Sequence, residues 1–168
     1  MTDQPVLWTI DSRGGGRGTL NRPDVNNACD GALIQGLHDA MADLGAKPDL
    51  RAVVVTGAGR SFMAGADLKW LNAVRVSSPT DNDKASRLTA EAVDKFNRLP
   101  VPTVVLINGF CVGGATGLVA AADVVLLADA PVAQHLQDPL AVILDVEPVA
   151  DVAAVAVDRQ RLAFECVQ

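Results

Sequence analysis

The sequence has no tyrosine, and aromatic residues make up only 4% of its 168 positions. Any core must therefore be packed from aliphatic side chains, in keeping with a hydrophobic content of 49%. It has two histidines and three cysteines, and none of these residues forms a CxxC pair or a Cys/His cluster. We therefore expect neither a metal centre nor a disulfide framework, and predict that the thiols stay reduced.

Long apolar runs and excess positive charge are missing as well. No apolar stretch approaches the roughly 18 residues that a membrane-spanning helix needs, and the first residues lack the basic and apolar segments of a targeting peptide. The formal net charge of −6 disfavours nucleic-acid binding, which needs clustered lysine and arginine. These features predict a cytoplasmic protein with no membrane or nucleic-acid partner. The length favours one domain.

Strand and helix signals alternate along residues 1–130. Strands are predicted at residues 6–10, 52–55, 103–107 and 124–127, and longer helices at 30–44, 83–99 and 114–122. Residues 12–18 are too rich in glycine for the interior of a strand. This alternation indicates an α/β fold with a parallel sheet. Residues 131–168 have weak periodicity and recurrent proline, so we treat 131–168 as a divergent tail of uncertain structure.

Two segments repeat one design, in which a buried strand leads into a glycine-rich turn and then a helix start. They cover residues 53–69 and 104–115. Such turns at the carboxyl ends of parallel strands form ligand crevices, and backbone N–H groups there suit a polarised carbonyl oxygen. Two N–H groups converging on one oxygen would form an oxyanion hole. The alternative is a pair of ordinary βα turns. Neither segment has a P-loop or a complete dinucleotide fingerprint.

The residues in and before these turns resemble a known family. Residues 20–23 read L-N-R-P and are followed by N-A at 27–28, residues 61–69 read S-F-M-A-G-A-D-L-K, and residues 107–115 read I-N-G-F-C-V-G-G-A. These three ordered motifs, with A-D at 122–123, resemble those of the crotonase superfamily, the enoyl-CoA hydratase/isomerase family. The resemblance covers residues 19–130.

The resemblance implies a spiral β-β-α fold, truncated here on the C-terminal side, and a trimer-type homo-oligomer. It implies an acyl-CoA thioester as ligand and no cofactor apart from the coenzyme A of the substrate. Ala66 and Gly114 would donate the two N–H groups of the oxyanion hole, which stabilises a thioester enolate. The residues expected to line the coenzyme A pocket are Arg22, Asn27, Ala28, Ala64, Gly65, Asp67 and Leu68. Arg22 and Lys69 are candidates for phosphate contacts, or else solvated surface cations.

Several departures from the family pattern concern the chemistry. The first catalytic glutamate of the family would fall on Gly117, which cannot transfer a proton, and residues 130–138 contain no glutamate for the second. His135 and Asp138 are alternative bases. The chain is also shorter than family members, and glycines 14–16 and 18 replace an apolar strand. The glycine-rich stretch at residues 14–18 and the tail from residue 131 both look as if they were translated in another reading frame. Resequencing would test this hypothesis.

The predicted function is thus that of an enoyl-CoA hydratase/isomerase relative whose oxyanion hole is present and whose acid/base carboxylates are missing. Two alternatives remain open. The chain is a non-catalytic or vestigial acyl-CoA-binding protein, or it is an interaction fragment of a larger crotonase assembly.

Overall fold

A computed structural model describes residues 4–128 and the backbone of residues 152–156. The strands are β1 (Val6–Ile10), β2 (Gly15–Leu20), β3 (Ala52–Gly57), β4 (Ser61–Met63), β5 (Thr103–Asn108), β6 (Phe110–Cys111), β7 (Val124–Ala128) and β8 (Val152–Ala156). The α-helices are α1 (Gly31–Gly45), α2 (Leu68–Arg75), α3 (Pro79–Asn97) and α4 (Ala115–Ala121), and a 3-10 turn covers Pro23–Val25.

The main sheet has six strands in the order β1-β2-β3-β5-β7-β8. Its four central strands are parallel, as the alternating pattern predicted, and both edge strands pair antiparallel to their neighbours. Every residue of β3 and β5 is buried, because a parallel strand covered on both faces excludes water along its whole length. The predicted α/β class is confirmed.

Strand β2 corrects one prediction, because the glycine-rich stretch is a strand. Gly15 to Leu20 pairs with β1 on one side and β3 on the other. Backbone hydrogen bonds to two neighbours need no side chains, and glycine permits close packing. A Cβ at Gly16 would lie 3.0 Å from Leu50 Cδ1 and 3.2 Å from the carbonyl oxygen of Ala52. The prediction that this stretch is too rich in glycine for a strand is therefore wrong, whereas the reading-frame hypothesis stays a prediction for resequencing.

The helices begin at polar caps. The Asp30 carboxylate accepts a hydrogen bond from Leu33 N at 2.9 Å and caps α1, as predicted. Ser78 caps α3, whose first residue is Pro79. Apolar side chains of α1, α3 and α4 pack with the sheet in one core that includes Phe62 and Phe96.

A second, two-stranded sheet joins the two turns that the sequence singled out. Strand β4 follows β3, and β6 follows β5, and these short strands pair in parallel. The two turns are thereby held side by side. Of the predicted tail, the structure describes β8 alone, which pairs antiparallel with β7 and was not predicted.

Candidate functional site

The turn after β4 is fixed by hydrogen bonds to the segment before α1. Cys29 N donates to the carbonyl oxygen of Gly65 at 2.7 Å, and Asp67 N donates to that of Cys29 at 2.8 Å. This is a parallel bridge between Cys29 and Ala66. In an extended segment, alternate residues bond to opposite sides, so the Ala66 N–H points away from Cys29.

The turn after β6 lies against the first turn. Val112 N donates to the carbonyl oxygen of Met63 at 3.1 Å. Gly65 and Gly113 both have positive φ, +82° and +60°, and a Cβ at Gly113 would lie 3.3 Å from Gly65 Cα. The two turns touch backbone to backbone, an approach that only glycine allows at these dihedral angles. Gly114 follows directly, as the residue before α4.

Ala66 and Gly114 line one small pocket of about 100 Å³. Within the part of the chain that the structure describes, neither residue's N–H has a hydrogen-bond partner. The rest of the lining is mainly apolar: Cys29, Ile34, Leu37, Met63, Trp70, Thr89, Ala92, Val93 and Leu118. The structure thus brings the two predicted donors to one apolar pocket.

The described wall of this pocket carries few polar or ionisable side chains. The Thr89 hydroxyl donates to the carbonyl oxygen of Ala85 at 2.8 Å. Burial, reinforced by the nearby Asp30 carboxylate, raises the pKa of the Cys29 thiol to about 11, so it stays protonated at neutral pH. No carboxylate from residues 4–128 lines the pocket. The described wall therefore carries a protonated thiol and a hydroxyl but no carboxylate or histidine that could activate them or act as a general base.

Gly117 stands on α4, where the resemblance places the first glutamate. A Cβ there would lie 3.8 Å from Val93 Cγ2, an ordinary contact, and Val93 lines the pocket. A side chain at this position would thus fit beside the pocket. His135 and Asp138, the alternative bases, lie outside the described residues.

Arg22 is held in an ion-pair cluster. Its guanidinium lies 2.9 Å from the Asp30 carboxylate and 3.3 Å from that of Asp67, and it also donates to the carbonyl oxygen of Ala28. Hydrogen bonds from Trp70 N and Lys69 N, with a further one from Arg22, hold the pKa of the Asp67 carboxyl below its usual range. Arg22 is not a solvated surface cation. Its predicted phosphate contact stays a prediction.

Asn27 is fully buried, and its side chain is taken up by hydrogen bonds to the backbone. Its side-chain amide donates to the carbonyl oxygens of Ala58 and Ser61, and its Oδ1 accepts from Arg22 N at 2.8 Å. These bonds fix the β3–β4 loop against the L-N-R-P segment. The backbone N–H of Asn27 also donates to the carbonyl oxygen of Arg22 at 2.8 Å, so Asn27 acts in the described residues as a structural link, and its contact with coenzyme A stays a prediction.

The other predicted coenzyme A residues lie along the rim of the first turn. Ala28 and Ala64 are half-buried, Gly65 is buried, and Leu68 is 74% exposed. Lys69 is exposed beside them. Their ligand contacts remain predictions.

Sequence reasoning missed Asn108 and most of the pocket wall. Asn108 is buried and its side chain holds the ends of β3 and β5 together, accepting from Gly57 N and donating to the carbonyl oxygens of Gly57 and Gly59. Its position directly after the predicted strand 103–107, where it ends β5 in the structure, was the available signal. Trp70 and Val93 come from helices whose facing could not be read without the fold.

A larger depression of about 820 Å³ lies at the opposite end of the sheet, next to Trp8, Arg13 and Arg51. It adjoins the amino ends of β2 and β3, whereas ligands of parallel sheets bind at the carboxyl ends. In the described segments, no His, Cys, Asp or Glu group of three or more is arranged for a metal. None of the helices in those segments has the length and apolarity to span a bilayer.

Comparison with known proteins gives a consistent result. A family model described as Enoyl-CoA hydratase/isomerase matches residues 17–140. A (7aS)-7a-methyl-1,5-dioxo-2,3,5,6,7,7a-hexahydro-1H-indene-carboxyl-CoA hydrolase of Rhodococcus jostii is 37% identical over 124 residues, covering 74% of this chain and 47% of that protein. A mevalonyl-coenzyme A hydratase of Beauveria bassiana is 36% identical, covering 67% and 42%.

A solved structure agrees with the fold. An enoyl-CoA hydratase/isomerase from Xanthobacter autotrophicus superposes with a TM-score of 0.70 at 32% identity, over 77% of this chain and 48% of that one. The chain spans about half the length of the relatives it matches.

Proposed function

The chain belongs to the enoyl-CoA hydratase/isomerase family, the crotonase superfamily, and on that premise we propose that it binds an acyl-CoA thioester. The thioester oxygen would lie between the N–H groups of Ala66 and Gly114, with the acyl group in the apolar pocket beside them. The observation that carries this proposal is the pair of N–H groups without described partners on the wall of one pocket.

These donors suit the chemistry of the family. Hydration and isomerisation of an enoyl thioester pass through an enolate-like anion, whose charge lies on the thioester oxygen. Backbone donors already aimed at that oxygen stabilise the anion more than the neutral thioester. One such donor lowers the activation barrier by about 3–4 kcal/mol. The coenzyme A would run along the rim formed by Ala28, Ala64, Gly65 and Leu68.

We do not extend the proposal to a single reaction. The matched relatives carry the names of a hydrolase and of a hydratase, so identity at this level does not fix the reaction. What these names share is a coenzyme A ester. The family's two acid/base carboxylates are missing at Gly117 and from residues 130–138, so catalysis would depend on a group still to be identified.

A thioester-specific binding measurement tests the proposal. We expect calorimetry to show tighter binding of butyryl-CoA than of S-butyl-CoA, a thioether without the carbonyl oxygen, by roughly fivefold for each hydrogen bond. Ala66→Pro removes one donor and should lower this ratio while leaving S-butyl-CoA affinity unchanged. Equal affinities of the wild-type chain for the two ligands would refute the oxyanion hole.

A non-catalytic acyl-CoA-binding protein is the second candidate, and the pocket wall without a described carboxylate favours it. A hydration assay with crotonyl-CoA, followed by the absorbance of the unsaturated thioester, distinguishes this candidate from the first one, a catalytically active family member. Binding without turnover supports the second candidate, and turnover supports the first.

An interaction fragment is the third candidate. Exposed apolar side chains next to the site favour it, namely Leu68, Leu71 and Val76 of α2 and its C-terminal cap, with Phe110 and Val112 near the second turn. Family members form trimer-type assemblies, which such side chains would suit. Size-exclusion chromatography of the chain alone, and mixed with a full-length relative, distinguishes a homo-oligomer from a mixed assembly.

A further inference from the structure

The Arg22 side chain connects three segments that meet at the site. Its guanidinium bridges the caps of two helices, because Asp30 caps α1 and Asp67 caps α2. A third contact goes to the carbonyl oxygen of Ala28, in the segment between them. The side chain is 23% exposed, and the two carboxylates are 22% and 18% exposed, so water screens the cluster only in part.

Ala66 is the residue directly before Asp67. The Asp67 carboxylate is held from both sides, by N–H groups of α2 and by Arg22. The Asp67 N–H is bound in turn to the carbonyl oxygen of Cys29. The direction of the Ala66 N–H therefore depends on where the Asp67 segment is held, and Arg22 is the cation that holds it.

The same contacts make Arg22 a poor phosphate ligand. One positive charge faces two carboxylates, so the cluster has a net charge of −1 and repels a phosphate. Turning the guanidinium toward a phosphate would leave two half-buried carboxylates without their partner. Lys69, exposed nearby, pays no such penalty.

We propose that Arg22 is a positioning residue, which orients the Ala66 N–H through its ion pair with Asp67 and does not contact the phosphates of coenzyme A. This inference rests on the proposed function, since it assigns Arg22 a part in the same thioester site. Arg22 then determines how well the pocket distinguishes a thioester from a thioether, and not how well it binds the nucleotide.

Three ligands separate positioning from phosphate binding. Butyryl-CoA has both the thioester carbonyl and the phosphates of coenzyme A. S-butyryl-pantetheine keeps the thioester carbonyl but lacks the phosphates, and S-butyl-CoA keeps the phosphates but lacks the thioester carbonyl. We expect Arg22→Gln to weaken butyryl-CoA and S-butyryl-pantetheine by the same factor, roughly fivefold for one hydrogen bond, and to leave S-butyl-CoA unchanged. A phosphate ligand would instead weaken both coenzyme A compounds and spare the pantetheine.

Two further variants keep the test valid if Arg22→Gln folds poorly. Arg22→Lys keeps the charge but loses the planar fork that spans two carboxylates, so we expect it to resemble Arg22→Gln. Asp67→Asn weakens the ion pair from the other side and should shift the thioester-to-thioether ratio in the same direction. If Arg22→Gln lowered the affinity for S-butyl-CoA and Arg22→Lys restored it, phosphate contact would replace the inference.

Arg98→Gln is the matched control, since it breaks an exposed arginine–aspartate pair with Asp94 on α3. We expect unchanged affinity for all three ligands. Amide NMR adds an independent reading, in which Arg22→Gln should shift the Ala66 resonance and leave that of Gly114 in place. A wild-type chain that does not distinguish thioester from thioether refutes the proposed function, whereas wild-type discrimination that Arg22→Gln leaves intact refutes only the role of Arg22.

Discussion

The Cys29 thiol lies on the wall of the pocket, between the Ala28 carbonyl that Arg22 binds and the Asp30 cap of α1. Burial is the main cause of its raised pKa of about 11, with the charge of Asp30 adding to it. A thiol that stays protonated is a weak nucleophile. Cys29 therefore serves the site as an apolar wall, consistent with a site that acts through backbone donors.

This raised pKa predicts a dependence of stability on pH. The unfolded thiol titrates near 9.0 and the folded one near 11, so the unfolded state loses its proton first as pH rises. The stabilisation is complete below pH 9 and is lost between pH 9 and 11, by up to roughly 2–3 kcal/mol. In urea titrations, Cys29→Ala should lack this part of the alkaline decline. Parallel pH profiles of the two proteins would contradict the assignment.

At the scale of elements, the glycines of β2 differ in what surrounds them. A Cβ at Gly16 would crowd Leu50, Val53 and the backbone oxygen of Ala52 at 3.0–3.2 Å, whereas at Gly18 the nearest atom, Val55 Cγ2, is 3.5 Å away. Gly18→Ala should stabilise the chain by about 0.5–1 kcal/mol, because alanine loses less backbone entropy on folding. Gly16→Ala should be neutral or destabilising.

The two substitutions form a matched pair in one strand. Midpoints of chemical denaturation measure both, and the order of the midpoints is the decisive result. If Gly16→Ala is at least as stable as Gly18→Ala, then the close packing of β2 on β3 is wrong.

The comparison of β2 with β3 shows what the sequence could predict. Strand β3 was predicted correctly because its consecutive valines are apolar and β-branched, which is typical of a strand buried on both faces. Strand β2 has few side chains, and β1 and β3 supply its hydrogen bonds, so local composition gave the wrong result. Strands β4 and β6, of three and two residues, are too short for a periodic signal.

The candidate site shows the same division. The two N–H donors were predicted because each lies within its own short motif, Ala66 in residues 61–69 and Gly114 in residues 107–115. The partners of Arg22 were not, because Asp67 is 45 residues away in the sequence and meets Arg22 only after α1, β3 and β4 are in place. The burial of the Asn27 side chain likewise depends on the β3–β4 loop, which no local pattern reveals.

At the scale of the whole molecule, the size of the described pocket bears on which acyl group the proposed site would accept. Its volume of about 100 Å³ is smaller than the roughly 150 Å³ of an apolar cavity that accommodates benzene. Under the proposed function, a short acyl chain such as butyryl or crotonyl would suit this space better than a long one. Crotonyl-CoA is therefore the appropriate substrate for testing whether an added acid/base group gives the site hydratase activity.

Our last prediction combines the two turns with α4. Gly117 has room for a side chain beside Val93 and the pocket, and the family resemblance implies the first glutamate at this position. If the turns already form an oxyanion hole, Gly117→Glu adds a proton-transfer group to it. A positioned general acid or base contributes about 10²–10⁴-fold, and because the second carboxylate is still missing we expect about 10²-fold faster hydration of crotonyl-CoA.

Gly117→Gln is the control for this experiment, since it has the same shape but cannot exchange a proton at neutral pH. Activity that appears with glutamate and not with glutamine, and that falls when Ala66→Pro is added, would show that the carboxylate works through the oxyanion hole. Equal rates for the two Gly117 variants would mean that the new side chain does not reach the thioester. The acid/base deficit would then lie in how α4 is placed against the two turns, and not in the identity of residue 117.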